Sequence, residues 1–234
     1  MSRPLLVARP EVPAGLVALP VRTQLVRSGD DLIGIVARAV EGIARPGDVI
    51  AISETAVAIA QGAFVPAEFV RPSKLAYVLA RRAGALATVN QPESLQLVID
   101  EVGQWRVLYA AVAHVLGRLR GKRGVFYEVM GEAITAIDGY TGTLPPFERA
   151  IVLAPREPDA FAQSVLERTG IGCVVVDAND LEKAKILGAS LDVRRSVVEN
   201  ALLDNPHGNA DEQTPIVVLK WRGTGTNPLY EAAP

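Results

Sequence analysis

Acidic, amide and hydroxyl side chains gather at four places beside predicted strands. Residues 53–55 (Ser-Glu-Thr), Asp138 with Gly139, and residues 177–180 (Asp-Ala-Asn-Asp) each follow an apolar run. The fourth cluster, residues 205–215, comes just before the last predicted strand. Carboxylate and amide oxygens are the ligands that hard cations such as Mg²⁺ and Mn²⁺ prefer. Together the four clusters indicate an oxygen-ligated metal site.

Each cluster also has a simpler structural explanation. An aspartate followed by glycine is a common turn, and Asp138 taken alone favours a turn over a ligand. Asn179 or Asp180 is an equally good N-cap for a helix predicted at residues 182–187. Residues 205–215 are typical of a solvated loop. These alternatives stay open at the level of the residues alone.

The remaining residue types exclude other kinds of chemistry. The chain has one cysteine, Cys173, and two histidines, His114 and His207. An internal disulfide and metal sites rich in cysteine or histidine are therefore excluded. Neither a Walker A loop nor the dinucleotide-binding glycine pattern is present. Cys173 lies in an apolar run, which is typical of a small buried residue.

Composition narrows the class of protein. The chain has 234 residues, of which 49% are hydrophobic, and a net charge of -2. This size suffices for one sizeable core or two small ones. The charge does not favour binding to nucleic acid or to an anionic membrane. The most apolar helical stretch, Val107 to Leu119, is too short to span a bilayer, and the first residues do not resemble a signal peptide, so we expect a cytoplasmic protein.

Predicted strands and helices alternate along the chain, which favours a mixed α/β (α+β) fold with mixed sheets and flanking helices. Strands are predicted at 49–52, 149–153, 171–176 and 215–221, with an edge strand in the first twenty residues. Helices are predicted at 32–43, 56–61, 73–83, 93–102, 157–168, 182–187 and 196–203. Two more strands, 124–130 and 133–137, are predicted to form a hairpin at Gly131-Glu132. Prolines between residues 145 and 158 indicate either a boundary between two lobes or a loop within a single unit that covers residues 1–234.

The order of these motifs resembles the coenzyme F-420 γ-glutamyl ligase family. Residues 28–32 and 46–62 are similar to the N-terminal region of that family. Ala136 to Gly139 stands where the family has a strand ending in Gly-Ile-Asp, and Val174 to Asn179 where it has one ending in Asp-Thr-Asn. Asn205 to Pro215 resembles a shorter bacterial branch. The resemblance covers roughly the whole chain, although only the short motifs are specific.

The resemblance implies a two-lobed, homodimeric ligase that uses GTP and Mg²⁺ or Mn²⁺. Such an enzyme forms an amide bond between L-glutamate and a carboxylate of the deazaflavin precursor of coenzyme F-420. Activation of that carboxylate as an acyl phosphate is the expected route.

Carried over to this chain, the resemblance implies three groups of site residues and assigns no catalytic residue. The metal ligands would be Asp138, Asp177, Asp211 and Glu212. The nucleotide and phosphate contacts would be Ser53, Glu54, Thr55, Asn209 and Gln213. Further candidates are Asn179, Asp180, Asn205 and Gly208.

Several cations of the family are absent from the corresponding positions of this chain. Glu54-Thr55-Ala56 and Ala63 stand where members have a lysine and an arginine, and a stretch with Lys183 and Lys185 replaces arginines. Two alternatives therefore accompany the F-420 ligase. One is an amide ligase of the same fold for another acid, and the other is a non-catalytic homologue that binds metal or nucleotide.

Overall fold

The chain divides into two compact units. Unit 1 contains residues 1–60 and 157–234, and unit 2 contains residues 61–156. The computed structural model describes residues 12–82, 90–122, 124–131, 137–139, 144–179, 183–208 and 212–231, with the backbone alone at 127, 138, 179 and 183. The return to unit 1 at residue 157 falls inside the proline-rich stretch 145–158.

The described elements are mixed in type. The strands are β1 (Leu16–Val21), β2 (Val49–Ser53), β3 (Phe64–Pro66), β4 (Ile137–Asp138), β5 (Ala150–Leu153), β6 (Gly172–Asn179), β7 (Lys183–Ala189) and β8 (Ile216–Trp221). The helices are α1 (Leu32–Val40), α2 (Glu54–Ala60), α3 (Lys74–Ala80), α4 (Pro92–Val102), α5 (Gln104–Leu119), α6 (Val125–Met130), α7 (Pro158–Thr169) and α8 (Arg195–Ala201). A short 3-10 helix covers Ala67–Phe69. The predicted mixed α/β class is confirmed.

Unit 1 is built on a five-stranded sheet in the order β1-β8-β2-β6-β7. The central strands β2 and β6 are parallel, and the other pairs are antiparallel. The predicted edge strand near the N-terminus is confirmed, because β8 is the one partner of β1 among the described strands of this sheet.

Both faces of the unit 1 sheet are covered. On one face, alternate residues of the central strands, such as Val49, Val174 and Val217, pack with Val198 and Leu202 at α8. On β6 and β7 the sheet also contacts α7, which packs against α1. Because strand segments buried on both faces need apolar side chains at every position, residues 49–52 of β2, 173–176 of β6 and 216–219 of β8 are continuous apolar runs.

Unit 2 combines a three-stranded antiparallel sheet, in the order β3-β5-β4, with helices α3 to α6. Its core contains Leu95, Val98 and Ile99 of α4, Val107 of α5 and Ile151 of β5. The small side chains of Ala76, Ala80 and Ala110 are also in this core, so the helices approach one another closely.

Two predicted elements are wrong. Residues 124–130 were expected as a strand, but 125–130 form α6, which excludes the hairpin at Gly131-Glu132. Residues 132–136 lie outside the described residues. The helix expected at 182–187 is wrong because Lys183–Ala189 is a strand that pairs with β6. The interpretation of Asn179 or Asp180 as the N-cap of that helix is therefore also wrong. Among the described residues, no helix is long and apolar enough to cross a membrane.

Candidate functional site

Two parallel strands of unit 1 end at the same edge of the sheet. In their register Ser53, the last residue of β2, lies opposite Val176 of β6. Strand β6 continues beyond that point, and Asp177 is its first residue past the end of β2. Beyond Val176, β7 is the partner of β6 in the part of the chain that is described, and the pairing register shifts between Val175 and Val176. The polar residues after β2 and within β6 therefore share one edge, which we call the ligand edge.

The segment before β8 reaches the same edge from the opposite direction. The backbone N–H of Ser53 donates to the carbonyl of Pro215 at 2.9 Å. Two residues earlier, the carbonyl of Gln213 accepts from the N–H of Thr23 at 3.0 Å. Gln213 has a φ of 56°, a left-handed conformation that non-glycine residues rarely adopt. These contacts fix residues 213–215 beside Ser53.

Residues 205–208 form a turn that is tied to this segment. Gly208 N–H donates to the carbonyl of Asn205 at 3.0 Å, and the hydroxyl of Thr214 donates to the carbonyl of His207. The carboxyl group of Glu212 occupies the space beside Gly208, where a β-carbon would lie 2.7 Å from it. Gly208 also has a φ of 75°, so a larger residue there would be strained and would displace Glu212. Asn205, Gly208, Glu212 and Gln213 thus belong to one folded loop.

The carboxylate of Asp177 at this edge is half-buried. Burial raises its pKa, because the ionised carboxylate loses hydration, and the nearby charge of Lys185 partly opposes that rise. Lys185 is the direct cross-strand partner of Asp177 on β7. A half-buried carboxylate, whose lost hydration a neighbouring positive charge only partly offsets, favours a bound cation.

His207 is buried in the same loop and is neutral at physiological pH. Burial lowers its pKa to about 4, although its contact with the Thr214 carbonyl works in the opposite direction. Nδ1 lies 3.2 Å from that carbonyl oxygen, so the neutral ring must carry its proton there. Within the part of the chain that is described, nothing hydrogen-bonds to the buried Nε2. The ring therefore offers an acceptor lone pair inside the loop.

The described residues do not form a complete metal cage. No group of three or more histidine, cysteine, aspartate or glutamate side chains with metal-binding geometry occurs among them. Asp177 suits a divalent cation as one carboxylate ligand. Asp180, Asn209 and Asp211 lie outside the described residues, as do the side chains of Asp138 and Asn179.

The predicted site residues fall into two parts of the molecule. Ser53, Glu54 and Thr55 stand at the end of β2 and the beginning of α2, and together with Asp177 and the loop they belong to unit 1. Asp138 belongs to unit 2, where its backbone on β4 pairs with Val152 of β5. The side chain of Gln91 occupies the space next to Gly139, so a β-carbon there would lie 2.6 Å from its Oε1.

Sequence reasoning misplaced one side chain of the ligand edge and missed another. Lys185 was expected on a helix, whereas the strand places it directly across from Asp177. His207 gave no signal except its position among polar loop residues. The pairing of Lys185 with Asp177 and the burial of the His207 ring both depend on contacts between distant parts of the chain. A short sequence motif does not contain that information.

Comparison with known proteins decides the family. The profile of the F420-0:Gamma-glutamyl ligase family matches residues 20–179, which is more than half of the chain. This chain belongs to the F420-0:Gamma-glutamyl ligase family. The family resemblance inferred from the motifs is confirmed.

A curated relative agrees with this family. The coenzyme F420:L-glutamate ligase of Methanopyrus kandleri is 29% identical over 158 residues, which are 65% of this chain and 55% of that protein. The chain thus matches little more than half the length of this relative. The segment matched by the ligase family contains Ser53, Asp138 and Asp177 and ends at Asn179, so the loop 205–215 lies outside it.

Proposed function

We propose that this protein is a γ-glutamyl ligase that joins the amine of L-glutamate to a carboxylate of the coenzyme F-420 precursor. The observation that carries the proposal is the parallel pairing of β2 and β6, which brings Ser53 and Asp177 to one sheet edge. Both residues lie in the segment that matches the ligase family. The name of the Methanopyrus kandleri relative supports L-glutamate as the amine donor.

GTP is the proposed co-substrate. A carboxylate oxygen of the precursor attacks the γ-phosphorus of GTP, GDP leaves, and an acyl phosphate forms. The glutamate amine then attacks the acyl carbon, phosphate leaves, and the nitrogen gives up a proton to complete the amide. In this scheme the hydroxyls of Ser53 and Thr55 and the amide of Gln213 bind phosphate oxygens, with Glu54 and Asn209 beside them.

Mg²⁺ or Mn²⁺ is the proposed metal. Asp177 supports this part of the proposal, because its carboxylate is half-buried and burial raises its pKa. Within unit 1, Asp211 and Glu212 are the other proposed metal ligands, and Asn179, Asp180, Asn205 and Gly208 are further candidates. Asp138 of unit 2 is a separate proposed ligand. When bound, the metal offsets the negative charge of the phosphate oxygens.

Mass spectrometry of a single reaction tests the activity. The purified protein is incubated with the F-420 precursor, L-glutamate, GTP and Mn²⁺, and we expect a product heavier by one glutamyl unit. The Asp177→Asn variant should form no product. Asp192→Asn is the matched control, since Asp192 is exposed and follows β7 at the opposite end of the sheet from Asp177. Its φ of 66° suits asparagine, so this variant should retain activity.

Two other outcomes would redirect the proposal. A protein that binds Mn²⁺ and GDP but forms no product would leave an amide ligase for a different acid as the leading function. A protein that binds only one of the two ligands, or neither, would be a non-catalytic homologue. The proposed active form is a homodimer, and its proposed partners are otherwise small molecules alone.

A further inference from the structure

Helix α5 of unit 2 carries large apolar side chains on its exposed face. Seven of them are between 39% and 80% exposed, and Trp105 and Leu119 at the two ends are the most exposed. We call this set the α5 stripe: Trp105, Leu108, Tyr109, Val112, Val115, Leu116 and Leu119. No charged residue interrupts these positions, and the stripe runs from one end of the helix to the other.

The opposite face of α5 is already packed against other helices of unit 2. Its buried residues are the small Val107, Ala110 and Gly117, and the helix packs against α4 and α6. At Gly117 the side chain of Val125 approaches so closely that a β-carbon would lie 2.6 Å from it. The larger apolar side chains of α5 thus face away from the core of their own unit. A helix that is apolar on both sides is normally buried on both sides.

The area of the stripe matches one half of a stable interface. With about 200 Å² for each fully exposed large side chain, the seven exposed fractions correspond to roughly 800 Å². One partner of a standard protein–protein interface contributes about 800 Å². The largest apolar patch of a typical monomer covers about 300–600 Å².

The spacing of the stripe is that of a helix-pairing seam. Trp105, Val112 and Leu119 are seven residues apart, and Leu108 and Val115 repeat at the same interval. Apolar residues at such heptad positions form a continuous line along one side of a helix. The occupant is therefore expected to be another helix that lies along α5.

The pattern is also symmetric about its midpoint, Val112. Reversing the direction of the helix around Val112 places Trp105 at the position of Leu119, Leu108 at that of Leu116, and Tyr109 at that of Val115. Every stripe residue of one α5 would therefore meet a stripe residue of an antiparallel copy. The two aromatic rings would meet aliphatic side chains instead of each other. A two-fold axis requires this kind of self-complementary surface.

The flanking charges agree with this arrangement. Arg106 donates to the carbonyl of Val129 in its own unit at 3.3 Å, so it is directed towards α6 and away from the stripe. Arg118 and Arg120 at the C-terminal end of one α5 would approach the N-terminal end of the other. Glu101, which is exposed near the end of α4, precedes that end of α5.

We propose that the α5 stripe is the surface on which a second copy of this chain docks, with the two α5 helices antiparallel across a two-fold axis at Val112. This inference deepens the proposed homodimer and does not depend on the ligase chemistry. A failed ligase assay would leave it untouched, because its test measures association alone.

Light scattering coupled to size-exclusion chromatography tests the association. We expect the wild-type chain to be a dimer at micromolar concentration and Val112→Glu to be a monomer, because the substitution places two carboxylates against each other at the axis. Val78→Glu on α3 is the matched control, since Val78 and Val112 are 50% and 51% exposed and both lie in unit 2. This control should remain a dimer.

Disulfide trapping tests the direction of the helices. Cys173 is buried, so an introduced cysteine is the accessible thiol among the described residues. Val112→Cys should cross-link to its own copy under mild oxidation. Leu119→Cys should not, because an antiparallel pair separates the two residues 119 by about 21 Å along the axis. Cross-linking of both variants would indicate parallel helices and would overturn the proposed geometry.

A monomeric wild-type chain, or a dimer that Val112→Glu leaves intact, would overturn the proposal. Vesicle flotation with anionic lipid tests the other explanation of the stripe, which is binding to a membrane surface. A wild-type monomer that floats with the vesicles, while Val112→Glu does not, would assign the stripe to a membrane surface instead of a second copy.

Discussion

Gln61 and Arg156 lie 95 residues apart in the chain and exchange three hydrogen bonds. The backbone N–H of Arg156 donates to Oε1 of Gln61 at 2.7 Å, and Nε2 of Gln61 donates to the carbonyl of Arg156 at 2.9 Å. The guanidinium of Arg156 also donates to the Gln61 carbonyl at 2.8 Å. Because residue 61 begins unit 2 and residue 156 ends it, this pair joins the two ends of the unit.

The Gln61→Ala substitution is expected to destabilise the protein by about 1 kcal/mol. It removes both side-chain hydrogen bonds of Gln61, which are exposed and therefore individually modest. The free energy of unfolding in urea measures the effect. Gln24→Ala is the control, since Gln24 is an exposed glutamine of unit 1. Equal stabilities of the two variants would show that the pair contributes nothing.

Stability is expected to fall as the pH drops from about 6.5 to 4 because of His207. Its folded-state pKa of about 4 is below the ordinary value of 6.5, so the unfolded chain binds this proton more tightly. The contribution of the neutral ring is complete above pH 6.5 and is lost on acidification through that window. The full loss amounts to about 3 kcal/mol.

Unfolding in urea at several pH values between 4.5 and 7.5 measures this loss. His207→Gln removes the titrating ring, so its free energy of unfolding should change less with pH than that of the wild-type chain. Parallel curves for the two proteins would contradict the assignment, because other titrating groups are common to both.

The central strands and the ligand edge were predictable from sequence for a physical reason. Residues 49–52 of β2, 173–176 of β6 and 216–219 of β8 are buried on both faces of the sheet, and such segments need unbroken apolar runs. Along β2 and β6 the sequence changes from apolar to polar where the buried part of the strand ends. The first polar residues after this change are Ser53 and Asp177. The parallel order that brings these two residues together is a property of the sheet and is not visible in either run alone.

In the two wrongly predicted elements, tertiary packing overrides the local preference of the sequence for a strand or a helix. Residues 125–130 contain aromatic and β-branched residues that favour a strand, yet Val125 packs against Gly117 of α5 and the segment is helical. Residues 183–189 contain good helix formers, yet they pair with β6. Gly188 permits this because the backbone of Pro158 and Asp159 lies against it, where a β-carbon would be 2.2 Å from the Pro158 carbonyl carbon.

Cys173 is expected to be unreactive in the native protein. It is fully buried, and burial raises the pKa of its thiol far above the usual range, so almost no thiolate is present. Reaction with a chromogenic disulfide reagent should be slower than in denaturant by on the order of 10³-fold or more, because the chain must open first. A fast native reaction would indicate that β6 opens locally.

Lys185→Gln is expected to tighten Mn²⁺ binding about fivefold and to weaken GTP binding. Lys185 is the exposed cross-strand partner of Asp177, so its positive charge opposes a cation bound by that carboxylate, at a cost of about 1 kcal/mol when water screens the two charges. The same charge attracts the phosphates of a nucleotide. Calorimetric titrations with Mn²⁺ alone and with GTP alone measure the two effects separately. Lys185→Arg keeps the charge and should leave Mn²⁺ affinity within about twofold of wild type. Unchanged Mn²⁺ affinity in Lys185→Gln would place the cation away from Asp177 and would require a different ligand set.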